Sequence, residues 1–176
     1  MQASIQNPAL KVTLKSALLD GFALAFIYLM PTFSHILPFP VYFIEPMRIM
    51  VVLAMMHTHR NNAYILALTL PVFSFVIATH PVFFKALLIA IELTAMVGIF
   101  YLLRRHMQGV IAIFTAIILG KGLYYAMKFF SVQWGLITLR PNESFVGIAL
   151  WIQLITTVVI SGYVWFFLNK KKNANG

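Results

Sequence analysis

Seven ionisable residues, Asp20, Glu45, Arg48, Lys85, Glu92, Lys121 and Lys128, interrupt what is otherwise nearly continuous membrane hydrocarbon. An ion inside a bilayer-spanning helix is costly and by default marks a pathway, a ligand pocket or a partner surface. Lys121, Tyr124, Tyr125 and Lys128 are spaced i, i+3, i+4, i+7, which puts two cations and two phenols on one stripe of a helix. Such a stripe is a poor face for lipid. Lys128, near a helix end, is expected to snorkel to the interface. Lys121 lies about 10 Å deeper at 1.5 Å per residue, so a cavity or an internal partner is expected for it. Lys85 and Glu92 share a helix face, and Glu45 and Arg48, at i, i+3, are close enough to pair. The chemistry on offer is binding. Arg48, Lys85, Lys121 and Lys128 outnumber Glu45 and Glu92, a surplus of positive charge that suits an anionic or zwitterionic ligand. Tyr124, Tyr125, Trp134 and Trp151 supply flat surfaces for a ring. The blander readings are mutual neutralisation of the charges and, for the aromatics, an interfacial belt.

The elements that must position these groups follow from composition. The chain is 61% hydrophobic and only 10% charged, with several apolar runs near the roughly 20 residues that a bilayer core requires. The fold class is an all-α membrane protein, a compact bundle of six transmembrane helices forming a single integral-membrane domain over 1–176. The spans read as about 12–30, 41–57, 63–79, 81–103, 108–130 and 144–168. Pro31 is expected to stop the first and open a Pro-rich connector over 31–40. Pro46 biases Glu45 away from helical geometry, so the regular part of the second helix is expected to begin at Pro46, with Glu45 near its cap. His80-Pro81 makes a tight connection, and Ser144 reads as the N-cap of the last helix. Residues Met1 to Leu10 lack the charged start and cleavage site of a secretory signal, so the first apolar run is expected to remain a membrane helix.

With six spans, Lys11, Lys15, Arg60, Arg104, Arg105 and the Lys170, Lys171, Lys172 run fall on one side, which predicts that both termini are cytoplasmic. Glu45, Arg48, His80, Lys85, Lys121, Tyr124, Tyr125 and Lys128 then lie in the outer half, with Glu92 and Gln153 nearer mid-depth. The formal charge of +9 is accounted for by segment ends, and no nucleic-acid partner is expected. The chain has no cysteine, hence no disulfide, thiolate metal site or cysteine nucleophile. His57 and His59 lack a third ligand nearby, so no metal is expected. No phosphate-binding loop, H-E-x-x-H or G-x-S-x-G motif occurs, so neither an enzyme activity nor a cofactor is expected.

Two stripes concern packing. Ala17, Gly21 and Ala25, four apart, make a smooth groove on the first helix that either packs internally or receives a partner helix, with Asp20 beside it as a polar contact. Gln153, Thr156, Thr157 and Ser161 line one face of the last helix and are expected to glue helices together.

In this layout the chain resembles the substrate-binding S component of energy-coupling factor transporters, small bacterial vitamin-uptake membrane proteins. The resemblance runs over nearly the whole chain in size, number of spans and basic tail. Its more specific parts are the Ala17, Gly21, Ala25 groove, similar to the motif with which that family docks its transmembrane scaffold, and the segment Leu70-Pro71-Val72-Phe73-Ser74-Phe75 through His80-Pro81 to Glu92-Leu93. Gly21 in place of alanine is a mild departure. The resemblance implies a multi-pass protein of the bacterial inner (plasma) membrane whose small-molecule substrate binds in an outward-facing pocket. The 31–40 connector would be its lid, and a separate scaffold with paired ATPase subunits would supply energy. The pocket residues expected are Arg48, Lys85, Glu92, Lys121, Tyr124 and Tyr125. No signature specifies the substrate, and the N-terminal histidine of metal-uptake relatives is absent. The alternative is a non-transporting membrane scaffold of cell-envelope or rod-shape assembly, which gains little from a cation such as Lys121 inside a bundle.

Overall fold

The computed structural model describes residues 8–36, 41–78, 81–137, 145–146 and 148–174. These form six α-helices: α1 (Pro8–Ile36), α2 (Pro46–His57), α3 (Arg60–Ala78), α4 (Phe83–Leu103), α5 (Gly109–Gln133) and α6 (Leu150–Ala174), with a 3₁₀ turn at Val41–Ile44 ahead of α2. Five are long and apolar enough to cross a membrane, the architecture of a multi-pass membrane protein. The sixth, α2, has 12 residues. At 1.5 Å per residue it is about 18 Å long, short of a roughly 30 Å hydrocarbon core.

The helices differ from their expected bounds for local reasons. Pro31 does not stop α1, which continues to Ile36. A proline removes one backbone donor, a loss that apolar membrane helices absorb when their neighbours resatisfy the freed carbonyl. The first half of the expected lid is therefore helical, and residues 37–40 lie outside the described residues. Pro71 is likewise carried inside α3. At α2 the regular helix does begin at Pro46, where the missing N–H is harmless. The turn between α2 and α3 is shorter than expected. Asn62 and Ala63 already donate backbone bonds to the His59 carbonyl, at 3.0 and 3.3 Å, which starts α3 at Arg60. By contrast, α6 begins only at Leu150. The Phe145, Val146 and Ile148 carbonyls before it accept bonds from the side chains of Lys128, Tyr125 and Gln153 instead of from a helical ladder. Thr79, His80, Arg140, Pro141 and the Asn142-Glu143-Ser144 triplet lie outside the described residues.

In the interior, α4 packs between α3 and α5, α5 packs on α6, and α2 lies against α3 and α6, while α1 lies outside, on α2 and α3. Apolar surface does not pull helices together in lipid; close backbone approach does. Accordingly Ala54, Ala63, Ala67, Ala112 and Ala116 are fully buried at the helix contacts. Large apolar side chains such as Leu18, Phe22, Leu119, Trp151 and Phe166 face outward, as hydrocarbon solvent permits. Contacts between Asp20 and Asn62, His57 and Tyr163, and Arg60 and Tyr101 bring the first half of α1, the end of α2, the start of α3, the end of α4 and the second half of α6 toward one pole. Lys15, Arg60, Arg104, Arg105 and Lys170 to Lys172 gather there. Glu45, Arg48 and Lys121 mark the opposite half.

Candidate functional site

Glu45 is the hinge of the charged cluster. It is the only non-glycine residue with positive φ among the described residues, at φ 53° and ψ 59°, a left-handed conformation that residues with a Cβ adopt at a cost and that is enriched at functional sites. That backbone turn lets the chain enter α2 at Pro46. It also points the Glu45 carboxylate inward, where one oxygen accepts from Arg48 and the other from Lys121. Arg48, only 3% exposed, donates a second bond from its other terminal nitrogen to Glu92. The Lys121 ammonium also lies 3.8 Å from Glu92. Two carboxylates and two cations from the head of α2, the middle of α4 and the middle of α5 thus neutralise one another in the interior. The mutual pairing weighed from the sequence is present, and it extends beyond neighbours in the chain. Arg48 Nε is a buried donor without a partner among the described residues.

Close approach of α5 to α4 makes the cluster possible. Ala112, Ala116 and Gly120, four apart on α5, are buried, and a Cβ added to Gly120 would meet the Met96 Cβ at 3.4 Å and the Glu92 carbonyl at 3.5 Å. This stripe sets Lys121 within reach of Glu45 and Glu92.

Of the six expected pocket residues, Arg48, Glu92 and Lys121 come together. Tyr124 stacks under Lys121, whose Nζ is 6.0 Å from the ring centroid. Tyr125 serves α6: it accepts from Gln153 at 2.7 Å and donates to the Val146 carbonyl at 3.2 Å. Lys85 is half-buried at the start of α4. Lys128 departs from expectation. Far from snorkelling, it is 2% exposed, donates to the Phe145 carbonyl and lies 5.1 Å from the centre of the Phe145 ring. The turn before α6 folds over it.

The packing stripes also resolve. Ala17, Gly21 and Ala25 are exposed, and a Cβ on Gly21 would meet nothing within 4 Å, so this face of α1 is turned out of the bundle. Asp20, beside the groove, turns inward and accepts from Asn62 at 2.7 Å. On α6, Thr156 and Thr157 bond back to carbonyls of their own helix. Gln153 alone of that stripe is seen to reach another helix.

Among the described residues no group of three histidine or acidic side chains is placed to hold a metal ion. A cavity of about 220 Å³ opens at the pole opposite the cluster, with His59, Arg60, Arg104 and Lys171 among its lining residues over a floor that includes Met55 and Phe167. None of the six expected pocket residues lines it. Comparison with protein-family models, curated proteins and solved structures gives no match.

Proposed function

We propose that the chain is the substrate-capture subunit of a vitamin-type, energy-coupling factor uptake transporter. It binds a small anionic or zwitterionic organic molecule at the Glu45, Arg48, Glu92, Lys121 cluster, from the outer side of a bacterial plasma membrane, and works with a separate scaffold and paired ATPases. The supporting observation is the position of Glu45. Its carboxylate is shared by Arg48 and Lys121, yet it is carried on a strained junction ahead of a helix, whereas both cations are carried on helices. An arriving substrate carboxylate or phosphate exchanges with Glu45, so the buried cations stay neutralised at each stage, as the cost of an unpaired buried ion demands. Arg48 Nε offers the incoming anion one more donor, and Tyr124 beside Lys121 offers an aromatic face. The outward Ala17, Gly21, Ala25 face supports a docked scaffold helix, and the clustering of basic residues at the opposite pole supports a cytoplasmic assignment for it.

The completeness of the ion pairing favours a second reading, a non-transporting scaffold of cell-envelope or rod-shape assembly in which the charges only lock α2, α4 and α5 together. Native mass spectrometry of the protein, gently extracted from its host membranes, separates the two. A small-molecule adduct on the wild type that is lost from folded Lys121→Met supports capture. Envelope-assembly proteins co-purifying without any adduct overturn it in favour of the scaffold.

A further inference from the structure

We propose that the cavity at the basic pole is a binding site for a phosphate-bearing anion, held by Arg60, Arg104 and Lys171. This site is independent of the capture reading. Of the four carboxylate side chains in the whole chain, Asp20, Glu45 and Glu92 belong to the described residues, and none of these three lines the cavity. Glu45 and Glu92 are engaged in the opposite half, and Asp20 accepts from Asn62. Among the described residues, Arg60, Arg104 and Lys171 therefore converge on one cavity without a carboxylate partner.

The two guanidiniums, though exposed, lie against aromatic rings. Arg60 lies 5.5 and 5.2 Å from the Tyr64 and Tyr101 ring centroids, and Arg104 lies 5.6 Å from that of Phe100. Stacking over a ring uses the flat face of a guanidinium and leaves edge donors, the ones that match phosphate oxygens. Arg60 spends one such nitrogen on a long contact to Tyr64, at 3.4 Å. At about 220 Å³, the cavity is smaller than the roughly 300–1,000 Å³ of sites for drug-sized molecules, which fits a headgroup-sized anion. Arg60 and Leu103 bound two of the apolar spans, so the site stands at the hydrocarbon edge, the level at which basic pockets between helices take lipid headgroups. A phospholipid phosphate and a free phosphate share this chemistry. A simpler role for Arg104 and Lys171 is to offset the carbonyl ends of α4 and α6. Arg105 and Lys170 serve that role equally well without lining the cavity, and they provide the control.

The test uses the full chain purified in a neutral detergent and titrated with short-chain phosphatidylglycerol and, separately, with inorganic phosphate, bound ligand being counted by native mass spectrometry. Saturable binding is expected. Arg60→Gln with Arg104→Gln weakens it about thirtyfold, as loss of two cations worth about 1 kcal/mol each requires. Arg105→Gln with Lys170→Gln leaves it within about threefold of the wild type. Arg60, Arg104 and Lys171 are exposed, so the variants are expected to fold; Lys171→Gln alone, expected to weaken binding about fivefold, provides a second reading. Binding of phosphatidylglycerol but not phosphate assigns a lipid headgroup, and binding of phosphate with the same variant losses assigns a free anion. Equal losses from both double variants, or no saturable binding of either probe, overturn the proposal.

Discussion

Lys121 in the middle of α5 and Glu45 at the head of α2, 76 positions apart in the chain, form an ion pair in the interior of the bundle. The pair ties a fixed helix to a strained junction, and Arg48 extends it to Glu92 on α4. Because two negative and two positive groups are enclosed together, the charge of each is tolerable only while the others remain. Any event that withdraws one partner, whether substitution or ligand exchange, acts on all four.

Arg48→Met leaves two buried carboxylates facing Lys121 alone. Removing one member of a buried pair typically destabilises by about 3–5 kcal/mol, and a loss of that order is expected in thermal or denaturant unfolding of the purified protein. Adding Glu92→Leu restores balance, since Glu45 and Lys121 remain as a neutral pair. The double variant is expected to recover more than half of the loss. A double variant as unstable as Arg48→Met alone would show that the charges are not coupled in this way.

Glu45→Gln separates a competing internal anion from a structural brace. With the formal charge removed, Arg48 and Lys121 keep a weaker internal partner, so binding of an anionic substrate is expected to tighten, by about tenfold for ~1.4 kcal/mol of lost competition. A brace predicts no gain. Isothermal titration of the wild type and Glu45→Gln with the adduct found by mass spectrometry reads the difference directly, and weaker binding by Glu45→Gln would remove the exchange step.

Gly120→Ala and Gly120→Leu are expected to diverge. An alanine Cβ reaches Met96 and Glu92 at distances of 3.4 and 3.5 Å, near ordinary contact, and alanine gains up to about 1 kcal/mol in helix propensity over glycine. Leucine has no room there. It forces α5 off α4, draws Lys121 away from Glu92 and is expected to destabilise by about 1–3 kcal/mol or more, with loss of substrate binding. Unfolding curves for the two variants that overlay would contradict the packing described at this contact.

The class of fold was legible in the apolar runs, and the junction at Glu45 was legible in Pro46, because both are local properties. The Arg48 to Glu45 contact was legible too, at i, i+3. What the chain pattern does not carry is which distant partners meet. Arg48 and Glu92 are 44 positions apart, and spacing along one helix, which puts Lys85 and Glu92 on a shared face, says nothing of a partner on another helix. Small-residue stripes show the same limit. Ala17, Gly21, Ala25 and Ala112, Ala116, Gly120 have the same period of four, yet one faces out and the other is the α4 contact. Lys128 was read as an interfacial lysine from its distance to a helix end. The turn that covers it comes from residues 145–146, beyond any local pattern.

Gly21→Leu tests the outward face of α1. A side chain at Gly21 meets nothing within 4 Å, so the substitution is expected to leave the stability of the isolated protein within about 0.5 kcal/mol of the wild type, apart from a gain in helix propensity. Substrate binding by the isolated protein is also expected to be unchanged, because a side chain at the outward-facing Gly21 touches neither Glu45 nor Arg48. What leucine removes is the close backbone approach that a glycine permits to another helix. Association with a membrane partner, and uptake if the partner is the energising scaffold, is expected to fall at least about tenfold, the equivalent of ~1.4 kcal/mol. Co-purification of partners with wild type and Gly21→Leu, run beside unfolding of each isolated protein, distinguishes the outcomes. Undiminished association with intact stability would show that this face meets only lipid, whereas lost stability would show that it packs inside the bundle after all.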